Sequence, residues 1–245
     1  VSGHVAIQGV LRRLRYRRKA ERCLRQIREA QDTVAAHVTH YYYEQSYRAE
    51  EHLYWTQLPG WIAEFARRRT VVSALDAGCA YGTLLVYTMK AAGCAGYAVD
   101  FRDTYLSKSL IASLGIHFAV CNIEQERLPW EHRFDVILFT EVLEHLNFQA
   151  APTLRKLRDA LTEDGRLFLS TPNRADWGPC HKYYRRYADL PEPRVGEVVV
   201  DDHVWHFSAE ELLELLDRAG LQVVRCEDSP GVGGRHFNVE ARARL

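Results

Sequence analysis

The stretch VVSALDAGCAYG, residues 71–82, restricts the possible fold more than any other part of the chain. A β-branched run from Val71 to Leu75 ends in Asp76, and small residues then alternate with others at Gly78, Ala80 and Gly82. Apolar helix-forming sequence follows over 83–92. A buried strand that breaks into a glycine-rich turn at a helix start is how an open α/β sheet makes its first ligand site. Small residues let backbone amides approach a ligand there, and the helix N-terminus adds partial positive charge.

Two nucleotide chemistries use such a turn. Dinucleotide sites cradle a pyrophosphate with GxGxxG, whereas the pattern here is D-x-G-x-A-x-G. A carboxylate repels a pyrophosphate and suits a ligand that carries an ammonium and a sulfonium. A plain tight turn in a Rossmann-like fold is the alternative reading. Asp100 ends the next strand candidate, 18 residues past Gly82, where an acid accepts both hydroxyls of a ribose. NAD proteins share that spacing, so Asp100 alone does not choose the ligand.

From Val71 onward strands and helices alternate. Strands are expected at 71–76, 96–100, 116–121, 134–140 and 166–171, with helices at 82–92, 104–114 and 148–161. Asp164-Gly165 reads as a turn before the fifth strand. Such alternation implies a parallel sheet with right-handed crossovers. Ser208 with Glu211 three residues on caps a late helix that Gly220 ends. Segments 221–226 and 236–243 then follow without a helix between them, so they pair as an antiparallel hairpin. The expected fold is α/β: a Rossmann-like, seven-stranded, mostly parallel sheet with a C-terminal antiparallel hairpin and an N-terminal helical extension. The extension or lid covers 1–69 and the main domain 70–245, with 173–205 an insertion on the substrate side.

The chain's 245 residues suffice for one domain of roughly 170–200 residues plus that extension. Its formal charge is zero, but Arg12, Arg13, Arg15, Arg17, Arg18, Lys19, Arg22, Arg25 and Arg28 face only Glu21 within residues 12–28. Residues 10–38 read as a helix whose apolar stripe is Ala20, Cys23, Leu24, Ile27, Ala30 and Val34. Its arginine faces are solvated, or they meet an anionic membrane surface, nucleic acid or an acidic partner. The aromatic run over 40–55 suits a lid on a ligand or packing onto the core, and a second amphipathic helix is expected over 49–68. Six cysteines without a CxxC pair indicate reduced thiols and a cytoplasmic setting. No apolar stretch approaches the length of a membrane span.

Further chemistry gathers at the expected strand ends. Asn122 can bond an adenine edge while Ile123 packs on its face. Thr140 and Glu141 end the fourth strand, and Glu144 and His145 stand one helical turn beyond Glu141. His145 reads as a general base, a helix cap or a partner of a backbone carbonyl. In the insertion, Tyr183, Tyr184, Arg185, Arg186 and Tyr187 combine rings with cations, which suits an aromatic, sugar or phosphorylated acceptor.

Taken in order, LDAGCAYG, AVD, CNIEQERLPW, FDVILFTEVLEHL, STPN and HFSAEELLELLDRAGL resemble the class I S-adenosylmethionine-dependent methyltransferases over residues 70–245. EVLEHL and STPN look most like the branch that includes ubiquinone-biosynthesis O-methyltransferases. The resemblance implies S-adenosylmethionine as cofactor. Asp76, Gly78, Ala80 and Gly82 would hold its methionine end, with Ala80 replacing the family's middle glycine. Asp100 would take the ribose, Phe101 and Ile123 the adenine, and Asn122 the adenine edge, with Thr140 and Glu141 near the methyl donor. His145 would be the catalytic base and Tyr184, Arg185 and His203 would meet a small-molecule or glycan acceptor, by O-methylation. Two other readings stay open. Glu141, Glu144, His145 and His203 resemble the metal-binding set of small-RNA 2′-O-methyltransferases, although Leu146 stands where those have a second histidine. A non-catalytic scaffold with the same fold is the third.

Overall fold

A computed structural model of the chain describes residues 23–38, 41–229, 231 and 233–244. Seven strands form one sheet: β1 (Ser73–Ala77), β2 (Ala95–Asp100), β3 (His117–Val120), β4 (Phe134–Thr140), β5 (Leu161–Pro172), β6 (Leu221–Ser229) and β7 (His236–Ala243). Their order is β3-β2-β1-β4-β5-β7-β6. Strands β1 to β5 pair in parallel, and β7 runs antiparallel to both β5 and β6. This is the expected Rossmann-like sheet with its C-terminal hairpin. The chain leaves β1 toward β2 and β3, then crosses to β4 on the other side, so a crevice opens at the carboxyl ends of β1 and β4.

Apolar residues alternate between the two faces because side chains in a strand point to opposite sides. Leu75, Val99, Ile137 and Phe139 pack with α6 (Ala150–Asp159) and α8 (Ala209–Arg218). Ala74, Ala98, Val136 and Leu138 face α4 (Thr83–Ala92) and α5 (Lys108–Leu114). A helix α1 over 23–35 joins the second face by burying Ile27, Ala30 and Val34, while Leu24 of the expected stripe is 43% exposed. Residues 10–22 of the expected helix, with most of the basic cluster, lie outside the described residues; the cluster's last two members, Arg25 and Arg28, are exposed on α1. No helix among the described residues is long and apolar enough to cross a membrane, and all six cysteines are free thiols.

Three local expectations change. The helix expected over 49–68 is two, α2 (Arg48–Tyr54) and α3 (Leu58–Arg68), preceded by a π-helical turn at Tyr43–Tyr47. Trp55 leaves helical geometry at φ −127° and ψ 39°, and Pro59 sits in the first turn of α3, where its missing N–H costs nothing. The helix expected from 104 begins only after Ser107. Asp164-Gly165 does not precede β5 but lies inside it, where the register with β4 slips between the Phe134–Leu161 and Val136–Arg166 pairs. A Cβ on Gly165 would come within 2.9 Å of the Phe134 carbonyl, so the slip needs glycine. Ser208 and Glu211 form the expected capping box on α8.

Candidate active site

A cavity of about 400 Å³ opens at the carboxyl edge of the sheet. One end is built on the β1 loop. Gly78, Ala80 and Gly82 all take left-handed backbone angles, at φ +86°, +42° and +78°. The N–H groups of Gly78 and Cys79 donate to the Val99 carbonyl at 2.8 and 3.2 Å. The Ala80 N–H donates to Asp100 Oδ2 at 3.0 Å, so the loop and the acid at the end of β2 hold each other. Gly78 is required twice: by its φ, and because a Cβ there would lie 2.3 Å from Val142 Cγ2.

Asp100, Phe101, Asn122 and Ile123 line this end together with Gly78 and Ala80. Burial pushes the Asp100 carboxyl up, and the amides of Ala80 and Arg102 oppose that. Asn122 Oδ1 accepts from the Glu124 N–H at 3.0 Å, which fixes the side-chain amide, and the amide nitrogen can donate to a ligand. Asp76, Gly82 and Thr140 do not line the cavity. Asp76 is buried at the end of β1 with Oδ1 unpartnered, and burial followed by the Asp100 charge pushes its carboxyl to about 8. Gly82 starts α4, and Thr140 pairs with Ser170 in the sheet.

The other end holds carboxylates and imidazoles. Glu141 has a left-handed backbone at φ +54°. Its Oε1 accepts from the Ser170 hydroxyl at 2.6 Å, and its Oε2 lies 2.8 Å from His236 Nδ1. Because of that φ, Glu141 does not share a helical turn with Glu144; a 3-10 turn begins only at Leu143. Glu144 is 1% exposed and accepts from the Thr171 hydroxyl at 2.9 Å. Burial pushes both carboxyls to about 8, helped at Glu144 by the Glu141 charge. His145 Nδ1 stands 3.9 Å from Asp201 Oδ1, and the His145 and His203 ring centroids are 4.7 Å apart. Burial, with neighbouring His145 and His206, pushes His203 down to about 4. Glu144, His145 and His203 each offer a ligand atom within 4.8 Å of the others, a geometry that can take a divalent cation. Glu141, engaged by Ser170 and His236, stands outside that group. His145 caps no helix: Gln149 is the residue at the start of α6.

The insertion over 173–205 contributes Trp177, Val199, Val200, Asp201 and His203 to the wall. Of the acceptor residues expected there only His203 lines the cavity. Tyr184 packs against the apolar cluster under α6 and α8, and Arg185 is exposed. Tyr42, Tyr47 and Tyr54 cover the cavity from the N-terminal side, whereas Tyr43 and Trp55 are core. The aromatic run thus divides between lid and core. Tyr47 and Tyr81 approach to 4.9 Å between centroids, and Tyr81 and Tyr105 to 5.3 Å. His236, Trp177, Tyr81 and Tyr105 were not singled out by their sequence context. His236 had a usable signal: an antiparallel last strand starts at the carboxyl edge of the sheet, so its first residues border the site.

The charged and titratable groups lining the cavity, among the described residues, are carboxyls, imidazoles, phenols and the Cys121 thiol. Such walls attract a cation and repel a pyrophosphate.

Comparison with known proteins agrees. The family described as Methyltransferase domain matches residues 47–225. No curated protein sequence matches the chain significantly. The 1,6-didemethyltoxoflavin-N1-methyltransferase of Burkholderia thailandensis, solved with 1,6-didemethyltoxoflavin and S-adenosylhomocysteine, is similar at TM-score 0.56 and 22% identity, over 75% of this chain and 77% of that one. Magnesium protoporphyrin IX methyltransferase of Synechocystis, solved with bound SAH, gives 0.55 and 15%, over 77% and 80%. N-methyltransferase NodS of Bradyrhizobium japonicum gives 0.51 and 19%, over 76% and 93%. These likenesses establish a shared fold. The family match runs from the π-helical turn into β6 and takes in both ends of the cavity, and the chain belongs to the methyltransferase-domain family.

Proposed function

We propose that this chain transfers a methyl group from S-adenosylmethionine to a small-molecule or glycan-type acceptor, by O-methylation. The observation that carries this reading is the acid- and aromatic-lined cavity anchored on Asp100, whose carboxylate is tied to the β1 loop through the Ala80 N–H. The residues fit the cofactor. The unpartnered, buried Asp76 oxygen and its raised pKa are features that a nearby ammonium or sulfonium would relieve. When bound, S-adenosylmethionine supplies an electrophilic methyl group on a cationic sulfur. Gly78 and Ala80 would hold the methionine end, with Asp76 buried beneath the loop and Gly82 turning it into α4; Asp100 would take the ribose hydroxyls, and Phe101, Ile123 and Asn122 would receive the adenine. Glu141 stands near the methyl donor, and Thr140 supports it from the end of β4.

His145 removes the acceptor's proton, with Asp201 Oδ1 3.9 Å from its Nδ1. His203 binds the acceptor. Since methyl transfer neutralises charge rather than creating it, alignment by the aromatic cover and the insertion supplies most of the acceleration. The EVLEHL and STPN motifs, which resemble the ubiquinone-biosynthesis O-methyltransferase branch, support oxygen as the nucleophile.

A second reading has its own observation. Glu144, His145 and His203 lie together as a divalent cation would need, which supports metal-assisted transfer to ribose hydroxyls of RNA. A screen with labelled S-adenosylmethionine against small hydroxylated acceptors and short RNAs, with and without divalent metal, separates the two. Label on small acceptors without metal is the expected result. Label only on RNA and only with metal selects the second, and no transfer to either class contradicts both.

A further inference from the structure

Next to His203 the chain carries a second histidine that no step above uses. His206 is 8% exposed, and its Nδ1 lies 2.8 Å from the carbonyl oxygen of Gly178. Its Nε2 lies 2.8 Å from His203 Nδ1. A carbonyl only accepts, so His206 Nδ1 carries the proton of that bond. With both rings neutral, His206 Nε2 holds a lone pair and His203 Nδ1 donates to it. The His203 proton is then on Nδ1, and Nε2 is left as a hydrogen-bond acceptor on a ring that lines the cavity.

The surroundings hold this arrangement in place. The His203 N–H donates to Asp202 Oδ1 at 2.8 Å, and the Cys180 thiol contacts the His203 carbonyl at 3.1 Å. Trp177 packs against both rings, at 5.7 Å from His203 and 5.8 Å from His206. Gly178, which supplies the carbonyl, has a left-handed φ of +74° at the end of the helix α7 (Arg174–Trp177).

We infer that His206, anchored on the Gly178 carbonyl, is a positioning residue that fixes the His203 tautomer, so that His203 offers the cavity only an acceptor and the methyl acceptor presents an O–H or N–H donor to it. The inference rests on the methyl-transfer reading for the identity of the bound molecule, but not for the tautomer. It narrows the substrate class: besides the group that is methylated, the molecule carries a donor able to reach His203, and an analogue with an ether there binds less well.

The test is two-bond 1H–15N correlation spectroscopy of the 15N-histidine-labelled full chain, with His203 assigned from the spectrum of His203→Gln. The expected wild-type pattern is Nδ1–H with an unprotonated Nε2. His206→Phe should release the preference and give a tautomer mixture. His206→Gln, whose amide oxygen can still accept, should restore Nδ1–H. Phenol, a donor probe, should shift the His203 Nε2 resonance, and anisole, which lacks the donor, should not. A wild-type Nε2–H tautomer, an unchanged pattern in His206→Phe, or equal shifts with phenol and anisole would overturn the inference. Calorimetric binding of S-adenosylmethionine to the same sample tests the methyl-transfer reading separately, because the tautomer measurement needs neither cofactor nor turnover.

Discussion

The N–H of Val204 donates to the main-chain carbonyl of Glu144 at 2.7 Å. The Trp205 N–H adds a second bond to the same oxygen at 3.2 Å. These bonds sew the end of the insertion to the loop after β4, and they place His203 beside His145. Val204→Pro removes the shorter bond and leaves the carbonyl the Trp205 bond, at a cost of about 0.5–1.5 kcal/mol. Thermal melting should show that loss. Methyl transfer should fall at least tenfold while S-adenosylmethionine binding is kept, because the cofactor end does not depend on this seam. Full activity in a folded Val204→Pro protein would show that the seam does not set the site.

The β1 loop should respond in opposite directions to two small changes. Gly78→Ala places a methyl 2.3 Å from Val142 Cγ2 at a φ of +86°, so it should destabilise the fold and abolish cofactor binding. Ala80→Gly relieves a left-handed alanine, a strain of roughly 1–2 kcal/mol, and keeps the N–H that Asp100 accepts. It should raise the melting temperature with cofactor affinity unchanged. Denaturation of both variants beside the wild type checks the pair.

Glu51 in α2 is 3% exposed, accepts from Gln31 Nε2 at 3.0 Å and contacts the Tyr43 hydroxyl at 3.3 Å. Burial pushes its carboxyl to about 7. The folded protein therefore keeps a proton that the unfolded chain releases. The stability that this proton brings is present below the ordinary carboxyl range near 4.5 and is lost as pH rises toward 7. Glu51→Gln removes that dependence. Its melting temperature should gain on the wild type between pH 5 and pH 8, by up to the order of 3 kcal/mol in stability. Parallel melting curves across that range would contradict the assignment.

Chelation separates base from ligand at His145. As a base, His145 should tolerate removal of divalent ions, and His145→Gln should lower turnover while leaving cofactor affinity alone. His203→Ala should then weaken acceptor binding more than turnover. If instead chelator abolishes activity, added divalent ion restores it, and both histidine variants are equally inactive, the group formed with Glu144 is a metal site.

The elements and their order were legible because each is written in local periodicity: alternation within buried strands, a capping box at Ser208, a glycine-rich turn after Asp76. The cofactor end was legible for the same reason. Its residues are consecutive at strand ends, and Gly78, Ala80, Asp100, Phe101, Asn122 and Ile123 do line the cavity. The acceptor end was only partly so. Trp177 and His203 converge through the path of the insertion and the Glu144–Val204 bond, which leave no mark in sequence spacing, while His236 arrives through the β5–β7 register that the expected hairpin implies. Tyr184 and Arg185 have suitable chemistry for a substrate wall, but the path of the insertion turns them away. Glu141 kept its place beside Glu144 without the helical turn that spacing implied, since its left-handed φ brings it there by another route.

Calorimetric titration of S-adenosylmethionine into the wild type and Asp100→Ala tests the central claim most directly. Asp100 accepts ribose hydroxyls in this account, and charge-assisted bonds of that kind are worth roughly 1.5–3 kcal/mol each. The wild type should bind S-adenosylmethionine and prefer it to NAD, and Asp100→Ala should bind it at least tenfold more weakly. Equal affinity in the two proteins, or tighter binding of NAD than of S-adenosylmethionine by the wild type, would contradict the account.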